Sequence, residues 1–390
     1  MGAKKFFVLF WLFCGTLVLH AQLSQSAKVS VLTCGAGEEF YEAFGHTAIR
    51  IVDDSLLLAD GSALDLVFNY GIFNFDVEHF YFKFAKGQLL YELGVSTFDN
   101  FLYSYQYEQR SVNEQELALN TEQKNALYQL LVENYLPENR YYSYDFFRDN
   151  CATRVRDILQ KAMEKPVFET KMERQPATFR SLYYLYTDSL LWWRLGIDIA
   201  LGARTDKQIT TWDYLYLPSC LENQLDTLSY AGQKGGLVAE KQQLSAQLLP
   251  APNKAFITPD ILFWGMFVLV LLLCFWEIKK GFYAKAFDIL LFTLLSVLSI
   301  LVIFLWFFSD HYATKDNFNL LWANPLAIAI LFMLKKTPVW LIGLYVICLI
   351  VSFGCFGLLP QQFNSAVLPI LLIIMSRLFG LANQKKHFIL

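Results

Sequence analysis

Charge is scarce in this chain, at 17% Asp, Glu, Lys and Arg, and neither sign dominates: 32 basic residues face 35 acidic ones for a net charge of −3. Binding to a phosphate backbone needs a basic surface, so nucleic acid is not an expected partner. Histidine and cysteine are also few, at 5 and 7. No C-x-x-C or H-x-x-x-H spacing occurs among them, which leaves no zinc motif; neither a metal nor another cofactor is expected. Apolar residues, in contrast, make up 55% of the chain, and the mean hydropathy is +0.34. That balance excludes intrinsic disorder and points toward a membrane protein.

The charge falls mainly in the first 256 residues, whereas Ile257–Leu390 consists of long apolar stretches joined by short polar loops. Five spans are expected, near residues 257–276, 289–309, 318–334, 338–359 and 366–382. Each is within reach of the ~20 residues that cross about 30 Å of hydrocarbon, although the third is short. Lys279, Lys280 and Lys285 lie between the first two spans, Lys335 and Lys336 between the third and fourth, and Lys385 and Lys386 at the tail. The opposite loops, Asp310–Asn317 and Pro360–Ser365, carry a single Lys. The positive-inside bias therefore predicts a multi-pass inner-membrane protein with its C-terminus in the cytoplasm and residues 22–256 in the periplasm. At the other end, Lys4 and Lys5 precede the apolar run Phe6–Leu19, and Ala21 offers a cleavage point. Residues 1–21 read as a secretory signal, with a retained signal anchor as the alternative; both export residues 22–256.

The exported part keeps Cys34, Cys151 and Cys220, an odd number, so at least one thiol is left unpaired within it. Periodicity predicts strands at Lys28–Thr33, Thr47–Val52, Leu64–Tyr70 and Arg110–Leu119, a helix at Thr121–Tyr135 capped by Asn120, and a short aromatic segment Tyr141–Tyr144. In DNCATRVRDILQKAM, Cys151, Val155, Ile158, Leu159 and Ala162 share one helical face, with Asp149 or Asn150 as the natural cap. Cys151 thus stands in a first helical turn, where unpaired N–H groups and the macrodipole favour a thiolate. In FGHTAIR, His46 opens a strand directly after a glycine. A helix-starting cysteine and a strand-starting histidine are the two parts of a thiol–imidazole dyad. Taken singly, each has a plainer reading, a buried small hydrophobe and a solvated histidine.

The stretches VSVLTCGAGEEFYEAFGHTAIRI, VFNYGIFNFD, RSVNEQELAL and YDFFRDNCATRVRDIL resemble the Lnb N-terminal periplasmic domain family, with further similarity through LGIDIALG and TWDYLYLPSCL. The resemblance runs from about Lys28 to Leu221. It implies an α+β, circularly permuted papain-like domain of the group that holds NlpC-type peptidases and lecithin–retinol acyltransferase, followed by an all-α membrane domain. It also implies Cys151 as nucleophile, His46 as its base and Asn69 as the residue that orients the ring. The implied activity is lipoprotein N-acylation, with a phospholipid as acyl donor and the free α-amine of a diacylglyceryl-cysteine lipoprotein as acceptor. Within or beside the motifs, Asn150, Arg154, Arg50 and Tyr70 are candidate substrate contacts. The outer loop DHYATKDNFNLLWANP adds His311, Asn317 and Asn324. Aromatic residues such as Phe73, Phe75, Phe80, Tyr81, Phe82, Trp192 and Trp193 are candidates for an acyl groove or for the membrane interface.

Two other readings share these motifs. A cell-wall cysteine peptidase of NlpC type would use the same dyad on peptidoglycan stem peptides. A non-enzymatic membrane partner would hold Cys151 in a disulfide with Cys34 or Cys220.

Overall fold

The computed structural model describes residues 22–163, 177–228, 236–250 and 255–386; the expected signal, 1–21, lies outside the described residues. In chain order the exported part contains β1 (Lys28–Cys34), β2 (His46–Leu57), β3 (Ala63–Ile72), α1 (Phe80–Lys86), β4 (Leu90–Thr97), α2 (Phe98–Tyr107), β5 (Val112–Leu117), α3 (Thr121–Tyr135) and β6 (Tyr141–Ser143). It continues with α4 (Cys151–Ala162), α5 (Phe179–Tyr184), α6 (Leu191–Ala200), α7 (Thr211–Tyr214), α8 (Pro218–Thr227) and β7 (Val238–Ser245). All strand pairs are antiparallel, in the order β6-β4-β3-β2-β1-β5-β7.

The period-2 alternation of the central strands divides their side chains between two layers. Val29, Val31, Ile49 and Ile51 belong to the core formed with Leu127 and Leu131 of α3 and Val155, Ile158 and Leu159 of α4. Leu32, Cys34, Ala48, Val67 and Val112 turn the other way and meet Phe101 of α2. The predicted strands coincide with β1, β2, β3 and β5, and α3 has the expected bounds with Asn120 in a capping box. Two strands escape the sequence pattern. β7, VAEKQQLS, is a polar edge strand with mostly exposed side chains, and β4, LYELGVST, carries a glycine in its middle.

The C-terminal part is helical: α9 (Pro259–Lys280), α10 (Lys285–Ile303), α11 (Leu326–Met333), α12 (Val339–Ser352) and α13 (Val367–Lys386). Among the described residues, three helices are long and apolar enough to cross a membrane, Pro259–Lys280, Lys285–Phe308 and Val339–Phe356. The third expected span is instead a broken pair, Tyr312–Leu321 and Leu326–Lys336, bent by 42°. Asn324 marks the break: its amide donates to the Leu321 carbonyl and its oxygen accepts the Leu326 N–H, ahead of Pro325. The fifth expected span is a helix whose apolar part, Val367–Asn383, is shorter than the others. Arg377 of this helix is fully buried and bonds both Glu277 of α9 and Asp288 of α10, so three charges that apolar surroundings would penalise are paired.

The two parts meet at the loop after α10. The Gly202 N–H donates to the Ala313 carbonyl (2.8 Å) and the Ala203 N–H to the Asp316 carbonyl (3.0 Å). Asn317 and Asn319, both buried, donate to the carbonyls of Ile199 and Ala200 and of Asp198 and Ile199. These are the last carbonyls of α6, which have no partner within the helix.

Candidate functional site

His46 is placed by the glycine before it. Gly45 has φ 74, and a Cβ there would stand 2.5 Å from the Cys34 carbonyl oxygen, so only glycine lets the turn close against β1. β2 then starts at His46, opposite Cys34. Asn69 lies in β3, and its side-chain oxygen is 2.5 Å from His46 Nε2. With Nε2 donating to that oxygen, Nδ1 is left to serve the thiol.

Cys151 is placed by α4, which packs on β2 and β3. Asn150 caps this helix through Thr153, while its amide donates to the Phe146 and Tyr216 carbonyls. The capping box makes Cys151 the first helical residue, so its N–H has no intrahelical acceptor. Burial pushes the Cys151 thiol up, but the adjoining His46 charge, the His46 hydrogen bond and the N–H groups of Thr47 and Ala152 outweigh it, leaving the thiol below its ordinary range. For His46, burial disfavours the cation; the Cys151 charge and the hydrogen bonds with Cys151 and Asn69 overcome it and hold the imidazole above its ordinary range. The two shifts have one meaning, a thiolate–imidazolium pair that titrates as a unit.

The Cys34 thiol is unlike it. Cys34 and Cys151 are both free and buried. Burial pushes Cys34 up to about 12. Thiol reactivity follows the thiolate fraction, so iodoacetamide is expected to label Cys151 first, with a rate that persists below the ~8.5 of a free thiol and falls only as pH drops through the lowered pKa. In His46→Ala the midpoint moves up. Peptide mapping after timed alkylation checks this, and labelling of Cys34 ahead of Cys151 would reverse the assignment.

Gly71 leaves open space beside the dyad. It occupies a bulge in β3, at φ 98, where the register with β4 shifts. The point that a Cβ on Gly71 would occupy is 3.9 Å from the Cys151 Cβ, from His46 Cε1 and from the Tyr142 hydroxyl. That hydroxyl is buried and has no hydrogen-bond partner among the described residues. From the dyad a cavity of about 510 Å³ extends, well within the range of about 300–1,000 Å³ for small-molecule sites. Its wall is mainly aromatic and aliphatic, including Phe73, Tyr91, Tyr144 and Phe146. Leu305, His311, Ala313 and Thr314, which belong to the membrane region, also line it.

The structure brings Cys151, His46 and Asn69 together and puts His311 on the cavity wall, where its Nε2 is 2.7 Å from the Phe84 carbonyl oxygen. The other expected contacts have different occupations. Arg50 is four residues along β2 from His46, about 13 Å by strand geometry, and is held by Asp65 and Glu114 under the Phe98 ring. The Arg154 guanidinium is engaged by Asp149 and lies over the Tyr142 ring. The Tyr70 hydroxyl accepts from Asn134 (2.9 Å). Asn150 is committed to capping, and Asn317 and Asn324 satisfy backbone carbonyls. Of the aromatic candidates, Phe73 lines the cavity, whereas the Trp192 indole donates to the Ile257 carbonyl at the start of α9. Gly71 and Tyr142 were not expected from the sequence: a glycine in NYGI and a tyrosine in an aromatic run carry no mark of what faces them. No cluster of three or more His, Cys, Asp or Glu fit to hold a metal occurs among the described residues.

Known families match both halves of the chain. The family model described as the Lnb N-terminal periplasmic domain covers residues 19–184, and that of the Lnb transmembrane domain covers residues 251–387. The chain belongs to the Lnb family. The Lnb periplasmic match contains His46, Asn69, Tyr142 and Cys151, and the Lnb transmembrane match contains Leu305 and the loop residues that line the cavity. No curated protein and no solved structure shows a significant match to it.

Proposed function

We propose that this Lnb-family protein is a thiol-dependent lipoprotein N-acyltransferase whose sheet domain is a permuted papain-like fold working at the outer face of the inner membrane. The observation that carries this reading is the apolar cavity that joins the Cys151–His46 pair to the membrane region. A peptidase acting on a hydrophilic cell-wall polymer has no use for such a wall, whereas an acyl chain does.

The reaction follows from the groups present. The Cys151 thiolate attacks an ester carbonyl of a phospholipid, forming a C–S bond. The ester C–O bond then breaks, the imidazolium of His46 protonates the departing oxygen, and a lysophospholipid leaves. The α-amine of a diacylglyceryl-cysteine lipoprotein attacks the resulting thioester, neutral His46 takes its proton, and the C–S bond breaks to return the thiolate. The products are an amide and the starting enzyme, with no external oxidant, reductant or metal in the balance. Holding donor and acceptor in one membrane plane removes part of the entropic cost of their meeting.

Negative charge develops on the carbonyl oxygen in both half-reactions. The space over Gly71 is bounded by nucleophile, base and the Tyr142 hydroxyl, which makes Tyr142 a donor to that oxygen together with the Cys151 N–H. Tyr142→Phe is expected to lower kcat by about ten- to a hundred-fold with little change in alkylation of Cys151, a loss in the direction seen when an oxyanion donor is removed. An unchanged kcat would exclude the role. For the reaction as a whole, purified protein is offered phospholipid with a diacylated lipopeptide and, separately, muropeptides. A triacylated lipopeptide is the expected product; muropeptide cleavage with no lipopeptide acylation would reject the reading in favour of the peptidase.

A further inference from the structure

We infer that the cavity loads sideways, from the bilayer, through a portal between α1 and the outer end of α10, and that the ligand passing there is an acyl chain of a glycerophospholipid whose head group rests at α1. The inference rests on the acyl-transfer reading for what happens at Cys151, but the route is carried by separate observations.

The first is the surface of α1. Its sequence is FYFKFAK, it has no buried residue, and Tyr81, Phe82 and Phe84 are 83%, 59% and 52% exposed. Aromatic rings of this size are costly to leave in water, and a short segment that mixes them with Lys83 and Lys86 suits the boundary of a membrane, with rings in the acyl region and ammonium groups at lipid phosphates.

The second is where α1 is anchored. The Phe82 ring lies 6.0 Å from that of Phe304, the Asp310 N–H donates to the Lys86 carbonyl (2.7 Å), and Gln88 donates to the Asp310 carboxylate (2.8 Å). These contacts fix α1 to the end of a helix that is long and apolar enough to cross a membrane. The exposed rings of α1 therefore continue the apolar surface of Phe307 and Phe308.

The third is the wall between them. Directly after α10 the helix widens into a π-turn at Phe304–Phe308, a feature often found at functional sites. The Lys315 ammonium bonds the carbonyls of Trp306 and Ser309 around it. Leu305 of this turn lines the cavity, as do Phe84 and Ala85 of α1, so the two elements that face lipid outside also form the cavity wall inside.

The test uses the full chain in vesicles of phosphatidylethanolamine and phosphatidylglycerol with radiolabelled acyl chains. With p-benzoylphenylalanine in place of Phe82, illumination is expected to attach labelled phospholipid; the same probe in place of Leu57, exposed at the far end of β2 from His46, is expected to attach little. Equal labelling at both positions overturns the portal. In parallel, Phe82→Asp and the more exposed Tyr81→Asp are expected to slow acylation of Cys151 by phospholipid at least ten-fold more than acylation by a water-soluble short-chain thioester. Equal slowing with both donors also overturns it. If the soluble thioester fails to acylate Cys151 in the unaltered protein, the acyl-transfer reading fails, and the photolabelling comparison still decides the portal.

Discussion

Incubated with phospholipid alone, the protein is expected to gain the mass of one acyl chain on the peptide that contains Cys151, and Cys151→Ala to gain none. A thioester needs a nucleophile that is charged at neutral pH, and the surroundings of Cys151 favour that: an imidazolium, two N–H groups and a helix start oppose the cost of burial. Cys34 is buried without comparable support and is pushed up to about 12, so Cys34→Ser is expected to acylate normally. His46→Ala removes the charge partner and the proton carrier together, and the acylation rate is expected to fall by about 10²–10⁴, the range for a positioned general acid–base. Intact-mass and peptide mass spectrometry read all three variants. An acyl adduct that survives in Cys151→Ala on another residue would move the nucleophile and end the thioester mechanism at Cys151.

The second large effect is expected at the junction. A Cβ on Gly202 would stand 1.9 Å from the Lys315 carbonyl oxygen and 2.9 Å from the Asp316 carbonyl carbon, both backbone atoms that cannot swing aside like a side chain. Gly202→Ala therefore forces the loop after α10 away from α6. The two backbone hydrogen bonds there, Gly202 to Ala313 and Ala203 to Asp316, are weakened or lost, at about 1–3 kcal/mol for each group left buried and unpaired. Leu201, Ala313 and Thr314 line the cavity, so the wall opens with the loop. Acylation of Cys151 by phospholipid is expected to drop at least ten-fold while iodoacetamide still labels Cys151, because the dyad is built from β2, β3 and α4 and not from the junction. If both reactions decline together, the junction merely stabilises the domain; if neither changes, the cavity wall is irrelevant to the donor.

The particular residues show why some of the site could be read early. Cys151 follows a capping asparagine and His46 follows a glycine that no other residue can replace, and both signals are local. Asn69 came through the resemblance alone, since its distance to His46 depends on how β3 pairs with β2. Asn317 and Asn324 look functional in sequence for the same reason that they are structural in space. A polar side chain near a span has either a ligand or a backbone group to satisfy, and here backbone groups claim both. The broken third span has a related cause: residues 318–334 are apolar enough to cross, but Asn324 and Pro325 interrupt the helix, and Asn319 upstream is drawn to the end of α6.

Composition, caps and hydropathy by themselves determined that an exported sheet domain precedes a helical membrane region, and that one cysteine and one histidine stand at the starts of a helix and a strand. Such properties depend on neighbours a few residues away. Only tertiary structure decided that β3 bulges at Gly71, that the Tyr142 hydroxyl faces the space this leaves, and that the membrane region lines part of the cavity holding the dyad. Each of these depends on which strand pairs with which and which loop docks on which helix, contacts between residues far apart in the chain that no local pattern encodes.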